Sequence, residues 1–176
     1  MKVLVAIACG LAALATVSAE TVRVARDATI MYNGMMCNDD TVRCDSIPRG
    51  LDTNLVSFRG NRDYERVLLG FDLPATTPKK CILRVPKPQD DSEYKLMVVV
   101  TDNNWEEATV CGANKANEGQ EIGSVDSPGT TVDVSEACRN AKDQKLSLFV
   151  TTESSMVTFS SLQSGSNDVF ELEYEL

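Results

Sequence analysis

The sequence contains no histidine. That removes the commonest general base near neutral pH and the commonest zinc ligand. Ser-His-Asp and Cys-His hydrolases are excluded with it. No Asn-x-Ser/Thr triplet occurs, so N-glycosylation is not expected. No Cys-x-x-Cys pair occurs, so a cysteine-held metal is not expected either. Basic residues are in deficit: 17 Lys and Arg stand against 26 Asp and Glu, a formal charge of −9 over 176 residues. Nucleic-acid binders need a basic footprint, so nucleic acid is not an expected partner. Aromatic residues are only 6%, with one tryptophan. No apolar run reaches the ~20 residues that span a bilayer; the one that comes nearest is Val3 to Thr16.

That run has the make-up of a secretory leader. Lys2 supplies a positive start, and Val17-Ser18-Ala19 puts small residues at a cleavage position. Residues 1–19 are therefore expected to be a signal peptide and 20–176 a single extracellular domain, with no membrane attachment after cleavage. Losing Lys2 takes the balance to 16 − 26 = −10. Five cysteines remain: Cys37, Cys44, Cys81, Cys111 and Cys138. In an oxidising compartment they are disulfide candidates. A local Cys37–Cys44 bridge would close the polar loop between them. The other three allow one more bridge in three ways, with Cys138 the favoured participant. The odd thiol leaves a route to a linked dimer, and the oligomeric state stays open.

The remainder reads as strands. In Val169–Leu176, Phe170, Leu172, Tyr174 and Leu176 face one way and Glu171, Glu173 and Glu175 the other. Arg66–Leu73, Lys145–Thr152 and Met156–Ser161 share that period of two, whereas Tyr94–Thr101 is apolar enough to be covered on both faces. Shorter candidates are Thr21–Val24, Thr29–Tyr32, Asn54–Phe58, Cys81–Val85, Glu121–Val125 and Thr130–Val134. Pro128-Gly129 suits a type II turn. Ser135–Lys142 suits a short helix capped by Ser135. These elements imply an all-β, antiparallel, jelly-roll-like β-sandwich with one short helix.

Five segments in a fixed order resemble carbohydrate-binding module family 96 and the related DNRLRE-type secreted domains. They are Asp27-Ala28-Thr29-Ile30, Gly50–Val56, Arg66–Leu73 (R-x-L-L-x-F-D-L), Asn104–Val110 (N-W-x-E-x-x-V) and Thr131–Ser135; Phe159-Ser160-Ser161 and the terminal strand complete the match. The resemblance implies a sandwich that binds a polysaccharide without cleaving it. The chain departs from the pattern at Gly70, where arginine is common, at Leu162 or Gln163, where glutamate is, and at Val169 in place of a proline.

Sugar recognition wants flat rings against pyranose faces and planar polar groups for hydroxyls. The densest such stretch runs from Phe58 to Arg66, and it nominates Arg59, Asn61, Arg62 and Tyr64, with Arg66 as a neighbour, as carbohydrate-binding candidates. The alternative is a solvated loop whose arginines pair with Asp63 and Glu65. Trp105 reads as core, with an exposed sugar platform as the alternative. No catalytic residue is nominated: neighbouring acids on a strand point to opposite faces, and the terminal glutamate row suits a solvent face. No cofactor is expected, although Asp27, Asp39 and Asp40 are the oxygen donors that calcium would use. The expected function is a secreted, non-catalytic carbohydrate-binding module for a cell-wall or extracellular-matrix polysaccharide. The alternative is a structural or protein-interaction module on the same sandwich.

Overall fold

A computed structural model describes residues 19–32, 36–37, 42–60, 63–90, 93–153 and 156–176. The leader assigned to residues 1–19 lies outside them except for Ala19. One layer of the fold is a four-stranded sheet. It is ordered β1 (Glu20–Arg23), β13 (Glu171–Glu175), β7 (Lys80–Arg84), β10 (Thr131–Asp133), and every pairing is antiparallel. Alternation fixes its faces: Leu172 and Tyr174 go inward and the glutamates outward. Cross-strand cations meet that outer row, with Arg23–Glu171 at 3.4 Å, Arg84–Glu173 at 2.8 Å and Lys80–Glu175 at 3.3 Å.

The second layer has seven strands. Its path runs β12 (Val157–Ser160), β5 (Asn54–Arg59), β6 (Tyr64–Asp72), β11 (Lys145–Thr152), β8 (Lys95–Thr101), β9 (Glu118–Asp126), and β2 (Arg26–Tyr32) also pairs with β6. The strand covered on both faces is β11, buried from Leu146 through Thr152. That reverses the expectation, because β8 carried the more continuous apolar run. On β8, Met97, Val99 and Val100 stay half exposed. Centrality decides the difference: β11 lies between β6 and β8, whereas β8 borders the exposed β9.

The core between the layers includes Leu55, Val67, Leu69, Phe71, Leu83, Leu96, Leu148, Phe159, Phe170 and Leu172, all nearly inaccessible. Each such side chain is worth ~1.5–3 kcal/mol of burial. Phe159 meets Phe170 edge to face at 5.1 Å. A second cluster sits on the far face of the seven-stranded sheet: Ala28, Ile30, Leu68, Trp105, Val110, Ala116 and Phe149. The segment from 102 to 117 supplies its roof.

Two bridges close, Cys37–Cys44 and Cys81–Cys138, with Cα separations of 5.0 and 6.4 Å. The second ties β7 to the helix α1 (Ser135–Asn140). Cys111, also nominated as a disulfide residue, is instead free and only 6% exposed, so no thiol is presented for a linked dimer there. Ser135 does not cap α1. Its hydroxyl accepts from Cys81 N at 3.0 Å, while Asp133 Oδ1 takes the Ser135 N–H at 2.9 Å. Gly129 does not adopt the positive φ of a type II turn. The Ser127–Pro128 bond is cis, and Gly129 N donates to Asp126 O at 2.7 Å. A short ladder, β3 (Met36–Cys37) with β4 (Val42–Arg43), was not anticipated. Among the described residues no helix is long and apolar enough to cross a membrane.

Candidate functional site

Three of the nominated binding residues do come together. Arg59, Tyr64 and Arg66, with Met97 and Thr151, line a hollow of about 180 Å³. Asn61 and Arg62 lie outside the described residues. The hollow is smaller than the ~300 Å³ at which ligand pockets begin. Its rings are also engaged by the protein. Tyr32 and Tyr64 stack with centroids 4.3 Å apart, Arg66 stands 5.0 Å from the Tyr64 ring, and Lys115 Nζ sits 4.0 Å over Tyr32. Glu118 closes the group, 2.9 Å from Arg66 and 2.8 Å from Lys115. The local-pairing alternative is not realised for Glu65, which reaches back to Arg49 at 3.1 Å.

Trp105 is core, 5% exposed. Its Nε1 donates to Ser147 Oγ at 3.0 Å and the Arg26 guanidinium lies 4.0 Å over its ring. Arg26 also donates to the carbonyls of Trp105 and Asn103. Arg26 is the register partner of Gly70. A Cβ at Gly70 would stand 2.7 Å from Arg26 Cγ and 3.0 Å from Trp105 Cζ2. The guanidinium in this region therefore comes from β2, across the strand pair, and Gly70 is the space it occupies.

The large concavity is elsewhere. A cleft of about 880 Å³ opens where β8 and β9 diverge from β10 and α1. Val100, Ile122, Val134, Ala137 and Leu146 form an aliphatic floor. Asn103, Asn104, Gln120 and Asn140 bring amides to its walls, and Asp102, Glu121, Asp133, Glu136 and Asp143 outnumber Lys142 and Lys145.

The walls are braced. Asp102 accepts from Asn104 N (3.0 Å), Asn117 N (2.9 Å) and Asn117 Nδ2 (2.6 Å). Burial pushes this carboxyl up, but those hydrogen bonds win and hold it below its ordinary range. Hydrogen bonds from Ser135 likewise hold Asp133 down. Asn103 donates to Lys145 O at 3.0 Å and accepts from Ser147 Oγ at 2.6 Å. Trp105, Ser147 and Asn103 thus form a chain from the roofed cluster to the cleft wall. The cleft's far corner turns through Asp143 and Gln144, both in the left-handed region at φ 55° and 57°.

Sequence reasoning missed this cleft because it sought aromatic platforms, and the cleft has none. Its amides come from segments near 103, 120 and 140, which only the sheet order brings together. The one local signal was Asn103-Asn104 beside the tryptophan.

No family model matches the chain. A stretch of 128 aligned residues is 30% identical to an uncharacterized secreted protein of Arthroderma benhamiae (strain ATCC MYA-4681 / CBS 112371). The match covers 67% of this chain and 66% of that protein, just under two thirds of its length. The likeness supports a secreted protein; it carries no statement about a ligand.

Proposed function

We propose that this secreted sandwich is a non-catalytic module that recognises an uncharged cell-wall or matrix polysaccharide in the cleft between β8–β9 and β10–α1. The observation that carries the reading is the cleft itself: planar amides on its walls over an aliphatic floor, on a scaffold fixed by two sheets. Amide and carboxylate groups satisfy sugar hydroxyls, and a floor of Val100, Ile122 and Leu146 suits the apolar face of a ring. The five-to-two excess of acids over lysines disfavours acidic glycans. The resemblance of the ordered sequence segments to carbohydrate-binding module family 96 points the same way. The cleft also suits binding better than hydrolysis. Asp102 and Asp133 are held by hydrogen bonds to the cleft's own walls, below their ordinary range, so neither is the raised-pKa acid that a glycosidase uses.

The test is depletion of the mature chain from solution by insoluble β-glucan, chitin, cellulose, pectin and alginate. Retention on at least one uncharged polymer, lost about tenfold in Asn104→Ala/Asn140→Ala and kept in Arg59→Ala/Tyr64→Ala, is the expected result. No retention on any polymer contradicts the reading, and the reverse mutational pattern moves the site to the small hollow.

A second reading, a protein partner on the same cleft, is favoured by its acid excess, which suits a basic segment with apolar side chains. Salt separates the two: binding to a basic segment weakens steeply as ionic strength rises, whereas binding to an uncharged polymer does not.

A further inference from the structure

A different place holds chemistry that neither the fold nor the cleft explains. Four segments converge at one end of β2: Asp27 itself, the stretch Gly50–Thr53, Glu107 in the roof, and Ser161–Gln163 after β12. Their approach is close. A Cβ on Gly50 would stand 1.9 Å from Glu107 O, Ser161 Oγ donates to Asp52 O at 2.6 Å, and Ser161 N donates to Thr53 O at 3.2 Å.

The junction is rich in oxygen and poor in donors. Asp27 is 1% exposed. Its Oδ2 accepts from Leu162 N at 2.9 Å and its own N–H is spent on Glu107 Oε1 at 2.7 Å, but its Oδ1 is buried with no partner. The side-chain oxygen of the next residue, Gln163 Oε1, is also buried with no partner. Among the described residues neither Asp27 nor Glu107 forms an ion pair. The neighbouring Arg26 feels the charge of Glu107 but places its guanidinium over the Trp105 ring and donates to the Trp105 carbonyl, with no hydrogen bond to either carboxylate. An uncompensated buried carboxylate is expensive, so Asp27 Oδ1 calls for a proton, a water or a cation.

We propose that Asp27, Glu107 and Gln163 form a calcium site that pins the 102–117 roof to the sandwich. Hard oxygen ligands of mixed kind, carboxylate, amide and main-chain carbonyl, are what calcium takes in extracellular modules. Among the described residues no three carboxylates or thiolates gather at one point, so the donor set is two carboxylates and an amide oxygen. Two charges make a weak site, with a Kd of about 10⁻⁴–10⁻³ M, the range of extracellular modules. The inference is independent of sugar binding.

The experiment uses the mature chain stripped with EDTA and titrated with calcium chloride, read by melting temperature, and with terbium, read by emission sensitised through Trp105, two residues before Glu107. The melting temperature should rise by several degrees at 10 mM calcium and less with equal magnesium. Terbium should light and be displaced by calcium. Gln163→Glu adds a third carboxylate and should tighten calcium about tenfold; Asp27→Asn, checked for fold by circular dichroism, should abolish the effect. No calcium-dependent shift and no terbium emission up to 10 mM, in both wild type and Gln163→Glu, overturns the proposal. An Asp27→Asn chain that melts higher than a calcium-insensitive wild type also overturns it, and assigns the orphaned oxygen to a proton.

Discussion

The two flanks of the seven-stranded sheet are finished in opposite ways. On its outer face the segment from 102 to 117 folds down as a roof: Trp105 is buried beneath it, Arg26 stacks on the indole, and Gly70 leaves room for both. On the inner face, at the β8–β9 end, the sheets splay and no side chain among the described residues fills the gap, so Val100, Ile122 and Leu146 floor a cleft of about 880 Å³. The same short stretch serves both flanks, since Asn103 lines the cleft while Trp105 seals the roof, with Ser147 between them. The single tryptophan is spent on stability. The open flank, where recognition is proposed, presents amides and no ring.

Trp105 should show the largest difference between the two flanks. Trp105→Ala should lower unfolding free energy by about 3–5 kcal/mol in urea titration, whereas Asn140→Ala on the open flank should shift it by less than about 0.5 kcal/mol. Equal losses would mean that the cleft is structural too.

Next comes pH. Asp27 is raised from 3.8 to about 7 in the folded chain, so in that interval the folded state holds a proton that the unfolded state has released. Stability is full below about pH 4 and is lost as pH rises through 7. In chelator, urea titrations should show a fall of roughly 2–4 kcal/mol across that window from this group. A flat profile would show that Asp27 is already compensated.

Gly70→Arg should lower stability by roughly 1–3 kcal/mol, because a side chain there displaces Arg26 from the indole. The lost stacking should appear as a shift in tryptophan fluorescence. On the open flank, Asp143→Asn/Gln144→Gly should raise stability by about 1 kcal/mol, since both positions are left-handed in a two-residue turn. Smallest is the outer ladder of the four-stranded sheet. Glu173→Gln should change the melting free energy by less than about 1 kcal/mol and should do so only at low salt.

The inner core was legible in the sequence because alternation in β6, β12 and β13 states which side chains face inward. The identity of Trp105 as core was legible as well. The roof's anchoring was not, because Arg26, Gly70 and Trp105 come from three separated segments, and only the β2–β6 register superposes them. Cysteine spacing supported the Cys37–Cys44 loop but could not choose among Cys81, Cys111 and Cys138. That choice required Cys81 on β7 to face α1, while Cys111 is buried as a free thiol within the roof segment. Of the nominated binding stretch, Arg59, Tyr64 and Arg66 cluster as supposed, but Glu118 from β9 takes up the charge of Arg66 and Tyr32 from β2 stacks on Tyr64, and no local pattern announced those partners.

The most direct test of the account is the retained fraction of the chain on uncharged insoluble polysaccharide, measured for wild type and for Gln120→Ala/Asn140→Ala with unchanged melting curves. Wild type should be retained in a salt-tolerant way, and the double variant should lose that retention by about tenfold. Equal retention of the two proteins, or no retention of either, would contradict it.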